Sequence, residues 1–363
     1  MAADVVVIGA GMVGAACAYY CRAAGLTVTV VERGSVASGT TGAGEGNVLV
    51  SDKEPGPELD LALWSARLWS ELAAEHGDVF EYEPRGGLVV ASTEAELAAL
   101  DRFADGQQEH GVAAESVTDL AAYEPHLAPD LAGGRYYPQD TQVQPMLAAA
   151  HLLRRSGATV LTGTEVVGIT ERGVRTSAGD IAAGAVVNAA GTWSGALADV
   201  PILPRRGFVL VTEPLPPRIR HKVYAAGYVA DVAADDGGLR TSPVVEGTKA
   251  GTVLIGASRE RVGFDRTPSL PALRALAAGA TALFPFLAGV NALRAYCGFR
   301  PYSPDHLPLI GPDPRRPGLW HACGHEGAGI GLAPATGALI AALLTGGPTE
   351  VSHEPFRVER FVA

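Results

Sequence analysis

Three glycines near the N-terminus stand at a spacing suited to the phosphates of a dinucleotide. Gly9, Gly11 and Gly14 form the pattern GxGxxG between the apolar run VVVI and an alanine-rich segment. In such a pattern the first glycine makes a tight turn, the second lets the backbone approach a pyrophosphate, and the third lets a helix pack closely on a strand. The other predicted contacts of this turn are Ala10, Met12 and Val13.

Glu32 is another residue whose position suits a dinucleotide. It directly follows the apolar run TVTVV and precedes Arg33. A carboxylate there accepts hydrogen bonds from both ribose hydroxyls and repels a 2′-phosphate, which argues against NADP. NAD and FAD both fit, so we expect one of them, with Glu32 and Arg33 among its contacts.

The loop at residues 35–51, SVASGTTGAGEGNVLVS, favours FAD over NAD. A nicotinamide-binding fold has no evident need for it, whereas a flavin continuing from the same pyrophosphate needs a second run of backbone donors. The alternative interpretation is a disordered glycine loop, which the composition alone permits. The predicted FAD contacts in the loop are Thr40, Thr41, Gly42, Glu45, Gly46, Asn47 and Val48.

Three side chains are candidates for catalysis. Arg300 offers a planar fork that matches a carboxylate with two parallel hydrogen bonds, and a structural ion pair is the alternative. His325 is either a proton acceptor or a hydrogen-bonded strut. Glu45 either accepts a hydrogen bond from the substrate amine or from a ring hydroxyl, or is a loop carboxylate facing solvent.

Four residues near the C-terminus resemble a set of metal ligands: His321, Cys323, His325 and Glu326. A turn rich in glycine gives them no common face, so we expect no metal site. The four cysteines of the chain are too few and too far apart for a disulfide framework.

Hydrophobic patterning predicts the elements that position these residues. Residues 4–34 predict a strand, a glycine turn, a helix and a second strand, which together make a βαβ unit. Residues 144–195 predict a helix, a strand, a short three-stranded pattern and a final strand that ends in NAAG, where small residues leave room for a cofactor. The predicted contacts from this part are Val166, Val167, Ala189, Ala190, Gly191 and Trp193.

Two further segments, 83–142 and 204–293, carry alternating strands such as GGLVVAS and GTVLIGAS and helices such as PALRALAAGATALF. They predict one antiparallel or mixed sheet with helices, formed from both segments. The predicted fold class is therefore α/β. A Rossmann-like FAD-binding domain (1–82, 143–203 and 294–363) is interleaved with an α+β substrate-binding domain (83–142 and 204–293).

Charge and composition argue against two classes of function. The formal net charge is -11, and the chain has three lysines and no run of basic residues, so nucleic-acid binding is not expected. No stretch reaches about 18 consecutive apolar residues, and the N-terminus leads directly into a strand pattern. We therefore expect a cytosolic protein without a membrane span.

Two C-terminal segments carry a resemblance to a known family: CGFRPYSPDHLPLIG and GLWHACGHEGAGIGLAPATGALIAALLTG. With the N-terminal unit they make the whole chain resemble the flavoprotein family of D-amino acid oxidase, glycine oxidase and sarcosine oxidase. The resemblance implies that Arg300 holds the substrate carboxylate. It also implies that GHEGAGIG wraps the flavin ring before a helix from about Leu332 to Leu344. The implied contacts are Gly298, Arg300, His325, Glu326, Gly327, Ala328, Gly329 and Ile330.

Some segments resemble particular branches of this family. GTTGAGEGNVLVSDKEPGPELDLAL and GTVLIGASRERVGFDRT look most like the flavin subunit of D-hydroxyproline dehydrogenases. Monomeric sarcosine oxidases carry a lysine on the strand that resembles TVLIGAS, whereas Leu254 stands here, which implies slow reaction with oxygen. Those enzymes also attach the flavin through a cysteine near the arginine motif. Cys297 is only close to that place, so we expect non-covalent FAD, with a thioether at Cys297 as the alternative.

The predicted function is oxidation of the amine-bearing carbon of a small amino or imino acid to the imine, by hydride transfer to FAD. The substrate is a D-amino acid, a compound like glycine or sarcosine, or one like D-proline or hydroxyproline. Arg240, Tyr228 and Tyr302 are further candidates for the substrate pocket. One alternative is an FAD-binding subunit that passes electrons to partner subunits. Another is a flavoprotein that modifies nucleic acid, against which the acidic composition counts.

Overall fold

The computed structural model describes residues 3–228 and 237–361. Its strands are β1 (Ala3–Ile8), β2 (Val28–Val31), β3 (Asn47–Val48), β4 (Gly87–Ala91), β5 (Glu115–Val117), β6 (Gly133–Tyr137), β7 (Thr141–Gln142), β8 (Thr159–Leu161), β9 (Val166–Thr170), β10 (Gly173–Thr176), β11 (Gly179–Asn188), β12 (Leu203–Thr212), β13 (Lys222–Ala225), β14 (Arg240–Gly247), β15 (Val253–Arg259), β16 (Ala292–Tyr302), β17 (Leu309–Pro312) and β18 (Leu319–Cys323). Its α-helices are α1 (Met12–Ala23), α2 (Pro57–His76), α3 (Glu94–Gln108), α4 (Leu120–Tyr123), α5 (Pro145–Ser156), α6 (Ser194–Ala198), α7 (Leu270–Leu283) and α8 (Gly329–Thr345).

The first sheet is built around β1, which lies between β11 and β2 with all three strands parallel. Its order is β17-β18-β11-β1-β2-β8, and β9 and β10 extend from β11 as antiparallel strands. Val5 and Val7 face the cluster around α1, whereas Val6 and Ile8 face the cluster that includes Val174 of β10. A valine-rich strand buried on both faces is typical of a parallel sheet. The predicted βαβ unit is thus confirmed.

Helix α8 packs against α1 on one side of this sheet. A Cβ added at Gly337 would lie 2.6 Å from the main chain of Ala16, so glycine is required for the close approach. The helix begins at Gly329, before the predicted start at Leu332, and contains Pro334. Because Pro334 lacks an N–H, the Ile330 carbonyl loses its helical partner, and Trp69 Nε1 of α2 donates to it at 3.3 Å.

The second sheet has the order β16-β12-β15-β14-β13-β4-β6-β5, and its pairs are antiparallel except the parallel pair β13 and β4. Helix α7 covers one face, where Leu276 packs with Val245 and Ile255. The other face contributes Tyr224 and Val244 to the cluster around α1. The predicted α/β class, a Rossmann-like sheet beside a mixed sheet, is confirmed.

The predicted domain boundary at residue 294 falls inside β16. That strand pairs with β12 from Leu203↔Tyr302 to Thr212↔Ala292, so residues 294–302 belong to the second sheet. This pairing joins residues far apart in the chain, which local patterning does not register. The rest of the domain division stays a prediction. Within the described ranges, no helix is both long enough and apolar enough to cross a membrane.

Candidate functional site

A cavity of about 490 Å³ lies where the glycine turn, loop 35–51, β16 and the start of α8 meet. The predicted residues that line it are Gly9, Gly11, Met12, Val13, Glu32, Arg33, Thr40, Thr41, Glu45, Gly46, Asn47, Val166, Val167, Ala189, Ala190, Gly191, Trp193, Tyr228, Gly298, Arg300, His325, Glu326, Gly327, Gly329 and Ile330. The predicted residues outside its wall are Ala10, Gly14, Gly42, Val48, Ala328, Arg240 and Tyr302.

The glycine turn lets the main chain form the cavity floor. Gly9 has φ +103°, and a Cβ there would lie 2.6 Å from the Ala189 carbonyl oxygen. Gly11 precedes α1 in an extended conformation without a side-chain cap. The Met12 N–H that begins α1 donates to Thr41 Oγ1 at 2.9 Å. The hydroxyl proton of Thr41 is then available to an anion in the cavity, beside the positive end of the helix dipole.

Glu32 is held for recognition at the end of β2. Its Oε2 accepts a hydrogen bond from the Ala10 N–H at 2.9 Å, and its Oε1 accepts one from the Gly34 N–H at 2.8 Å. An ionised carboxylate has about four lone-pair sites, so each oxygen retains capacity for a ribose hydroxyl. Ala10 therefore orients Glu32 instead of lining the cavity as predicted.

Three more of the predicted cofactor contacts support loops or the core instead. A Cβ at Gly42 would lie 2.6 Å from the Ala37 carbonyl oxygen, so this glycine serves loop packing. Val48 is 3% exposed in the hydrophobic core. The Ala328 N–H donates to the His325 carbonyl within its own turn at 2.9 Å. Local sequence places these residues in the right loops but does not show which way each one faces.

Part of the cavity wall is aromatic and cationic. The Arg33 guanidinium lies 3.8 Å from the centre of a Trp193 ring, and Trp193 stacks on Phe264 at 5.5 Å between ring centres. Val166 and Val167 line the same cavity from β9. Apolar and planar groups of this kind suit a flat heterocycle such as adenine.

The contacts of His325 favour the strut, one of the two roles that the sequence left open. The ring is 3% exposed, and burial lowers the pKa of His325 to about 3. Its Nε2 lies 2.9 Å from Thr336 Oγ1, and that hydroxyl donates to the Leu332 carbonyl at 2.9 Å. Thr336 therefore accepts from Nε2–H, so the hydrogen bonding assigns the proton to Nε2. A neutral histidine with this pKa ties the GHEGAGIG loop to α8.

The side chain of Glu326 is committed to structural partners. It pairs with Arg205 of β12, and its Oε2 lies 3.0 Å from His306 Nδ1. Although burial raises the pKa of Glu326, the bonds to His306 and Arg205 together hold it below its usual value. An ionised carboxylate with two partners gives Glu326 a structural role beside the cavity.

Arg300 lines the cavity from β16 with most of its donors available. Its Nη1 donates to the Ser258 carbonyl at 2.8 Å, which fixes the side chain against β15. Gly207 of β12 makes room for it, because a Cβ there would overlap the guanidinium. An arginine has five N–H donors, so the remaining ones suffice for a bidentate carboxylate.

Glu45 faces the same cavity from the loop. Its Oε1 is buried and has no hydrogen-bond partner, and it lies where a Cβ of Gly256 would stand. Burial raises the pKa of Glu45, while the positive charges of Lys222, Arg300 and Arg259 oppose that rise. The net direction is upward, toward the acid form of Glu45.

A buried ion pair behind Glu45 was not predicted from the sequence. Lys222 of β13 pairs with Glu246 of β14, and their side chains are 3% and 2% exposed. Burial raises the pKa of Glu246 to about 7. The register places Glu246 opposite Leu254, the residue expected beside the flavin, and Leu254 does not line the cavity. One feature of the sequence could have pointed to this ion pair: lysine is rare in the chain, and Lys222 is one of only three.

Of the three further candidates for the substrate pocket, the structure places one in the cavity wall and two outside it. Tyr228 lines the cavity. Tyr302 is 2% exposed, and its hydroxyl accepts from Arg261 Nη1 at 3.2 Å, outside the cavity wall. Arg240 begins β14 opposite Arg259 and also lies outside the wall. The assignment of Tyr302 and Arg240 to the substrate pocket therefore stays a prediction, because alternation shows which face a residue takes but not which neighbours it has.

Cys297 and His321 both lie outside the cavity wall. Cys297 packs against the core cluster under α7. His321 Nε2 lies 3.0 Å from Asp313 Oδ2, and both side chains are buried. Within residues 3–228 and 237–361, no group of three or more His, Cys, Asp or Glu residues is arranged to hold a metal ion.

A family model described as "FAD dependent oxidoreductase" (DAO) matches residues 4–343. The chain belongs to this family. It is 30% identical to glycine oxidase of Pseudomonas putida, over 99% of each chain. It is also 30% identical to hydrogen cyanide synthase subunit HcnC of Pseudomonas aeruginosa, over 99% of this chain and 96% of that one. The match confirms the resemblance, the oxidoreductase class and FAD as cofactor.

Solved structures of similar proteins share this fold. Glycine oxidase from Geobacillus kaustophilus superposes with a TM-score of 0.89 at 29% identity, covering 99% of each chain. L-proline dehydrogenase from P. horikoshii superposes with a TM-score of 0.90 at 25% identity, covering 99% of this chain and 98% of that one.

The cavity of this DAO-family protein fits FAD chemically. Glu32 suits the ribose, and the main chain at Gly11 with the Thr41 hydroxyl suits the pyrophosphate. Buried Asn47 Oδ1 lines the cavity without a hydrogen-bond partner, so it offers an acceptor to a ring N–H. The start of α8, with Gly329 in the wall, points the positive end of its dipole at the cavity and favours negative charge there.

Proposed function

We propose that this protein oxidises a small amino or imino acid at the carbon that bears the nitrogen, giving the imine. The observation that carries the proposal is Arg300, which stands in the cavity wall with donors to spare. A carboxylate is the substrate group that a planar guanidinium matches best. The relatives named glycine oxidase and L-proline dehydrogenase support this substrate class.

FAD, when bound, supplies the two-electron redox chemistry of the family. The protein supplies orientation. Arg300 binds the carboxylate and so fixes the position of the adjacent carbon–hydrogen bond. Glu45 in its acid form donates a hydrogen bond into the cavity, and Tyr228 and the glycine-rich start of α8 complete the wall. Because His325 is neutral and tied to Thr336, it does not serve as a base for the substrate nitrogen.

Anaerobic bleaching of the bound flavin tests the proposal. The panel contains D- and L-amino acids, N-methyl amino acids and prolines, including D-hydroxyproline, because the closer resemblance to D-hydroxyproline dehydrogenases stays a prediction. We expect rapid bleaching with at least one small member that has a carboxylate. Bleaching only by amines without a carboxylate would contradict the proposal.

A second candidate function is an FAD-binding subunit that passes electrons to partner subunits. The relative named hydrogen cyanide synthase subunit HcnC covers 99% of this chain, and that name supports the candidate. Gel filtration followed by an activity assay distinguishes the two. Full turnover by the isolated chain with a dye acceptor favours the first function, whereas bleaching without turnover favours the second. A cytosolic location stays a prediction under either function.

A further inference from the structure

Arg259 is a buried guanidinium that the proposed reaction does not use. It ends β15, is 4% exposed, and its Nη1 has no hydrogen-bond partner. Burial lowers the pKa of Arg259, which reflects the cost of keeping this charge away from water. A buried charged donor without a partner is unfavourable unless an anionic group pairs with it.

This guanidinium belongs to the substrate end of the cavity. Its Cζ lies 4.9 Å from the centre of the Tyr228 ring, and Tyr228 lines the cavity. The carbonyl of Ser258, the residue before Arg259, accepts the hydrogen bond from Arg300 Nη1 at 2.8 Å. Two arginines therefore flank the same end of the cavity, one in its wall and one behind the phenol ring.

One carboxylate does not need both arginines. Arg300 uses one donor on Ser258 and keeps enough for a bidentate pair. Two carboxyl groups interact electrostatically with Arg259: that of Glu326, which already pairs with Arg205 and His306, and that of Glu45, whose pKa is raised by burial. Arg259 is thus available to a second anionic group on the substrate.

We infer that Arg259 and Tyr228 form a subsite for a second carboxylate, so that the preferred substrate is an amino or imino dicarboxylic acid. Arg259 does not line the cavity, so the subsite requires the Tyr228 side chain to rotate aside, and side-chain rotations of this kind are common on binding. The inference rests on the proposed function, because it assigns the substrate class of the same cavity.

The test compares matched substrates that differ by one carboxylate. Iminodiacetate is compared with sarcosine, and glutamate with 2-aminopentanoate in both configurations, by kcat/KM for anaerobic flavin bleaching. We expect the dicarboxylic member of a pair to be preferred by at least about tenfold, the lower end for a charge-assisted hydrogen bond. A wild-type protein that reacts equally well with both members overturns the subsite.

Substitution at Arg259 locates the preference. Arg259→Met should lower kcat/KM for the dicarboxylic member of each pair by roughly tenfold to a hundredfold. The kcat/KM for the monocarboxylic member should change little. Arg259→Lys should keep part of the preference for the dicarboxylic member. Arg294→Met is the control, because Arg294 also lies over a tyrosine, 5.6 Å from the Tyr296 ring centre, but away from the cavity wall. An equal loss on both members of a pair would make Arg259 structural and overturn the inference.

Binding without turnover gives an independent measurement. Malonate and acetate are titrated into the FAD-loaded protein, and the change in the visible flavin spectrum gives each Kd. We expect malonate to bind more tightly in the wild type and to lose this advantage in Arg259→Met. If no acid of either kind bleaches the flavin, the proposed function fails; if only monocarboxylic acids do so, the function stands and the subsite fails.

Discussion

Replacing Arg300 by leucine tests the interaction on which the substrate class depends. Arg300 is fixed by one hydrogen bond from Nη1 to Ser258 and lies in the cavity wall. Removing one partner of a buried bidentate pair costs about 3–5 kcal/mol. At about 1.4 kcal/mol per factor of ten, this is on the order of a hundredfold to several thousandfold in kcat/KM.

The assay measures kcat/KM of wild type and Arg300→Leu on the best amino acid and on a matched amine that lacks the carboxylate. The flavin spectrum and the thermal midpoint should stay near the wild-type values. The loss of kcat/KM should be confined to the amino acid. On this substrate the kcat/KM of Arg300→Lys should lie between those of wild type and Arg300→Leu, because lysine keeps the charge without the planar fork. An equal loss on the amine would refute a carboxylate contact, since Arg300 would then shape the flavin site.

Three further predictions concern the cofactor and stability. Glu32→Lys should lose FAD on gel filtration, measured as the ratio of flavin to protein absorbance, because it removes the acceptor at the end of β2; full retention would contradict this role. Acid precipitation should release intact FAD from both wild type and Cys297→Ala, because Cys297 lies outside the cavity wall; a yellow wild-type pellet would contradict non-covalent binding. The free energy of unfolding should fall as pH rises from about 5 to 8, because burial raises the pKa values of Asp140, Glu58 and Glu246 to about 7. A carboxyl group with a raised folded pKa stabilises the fold below its unfolded pKa of about 4, and that stability is lost as pH rises through the folded value. Denaturant titrations across this range check the slope, and Asp140→Asn should make it shallower.

Local sequence patterns predicted the glycine turn, the carboxylate after the second strand and individual helices. The turn at Gly9, the carboxylate at Glu32 and the helix at residues 145–156 follow from spacing, periodicity and short motifs, and the structure has them where expected. Each depends on neighbours within one βαβ unit or one helix, where hydrophobic period and turn chemistry are informative.

The start of α8 and the buried ion pair were not predicted, because both depend on contacts between residues far apart in the chain. Helix α8 begins at Gly329 despite Pro334 because Trp69, on a distant helix, bonds to the carbonyl that the proline leaves free. Lys222 and Glu246 meet only because β13 pairs with β14. Alternation predicts which face each side chain takes, but the register between distant strands decides which charges meet.

The charges behind the loop allow a prediction for Glu45 itself. Glu45 and Glu246 are two buried carboxyl groups, and the charge of Lys222 acts on both. Burial favours the acid form of each group, although the positive charges of Lys222, Arg300 and Arg259 oppose it at Glu45. Glu45 in its acid form donates a hydrogen bond into the cavity, and an ionised Glu45 cannot.

Activity should therefore fall at high pH as Glu45 ionises. Glu45→Gln, which keeps a donor at every pH, should retain the rate near neutrality and lose this fall. Lys222→Met removes a charge that lowers the pKa of Glu45, so the fall should move to higher pH. The measurement is kcat/KM against pH with a dye acceptor, and the flavin content of each variant serves as the control for folding. If Glu45→Gln is inactive at every pH while it holds FAD normally, Glu45 acts as a carboxylate and the protonation argued from its burial is wrong.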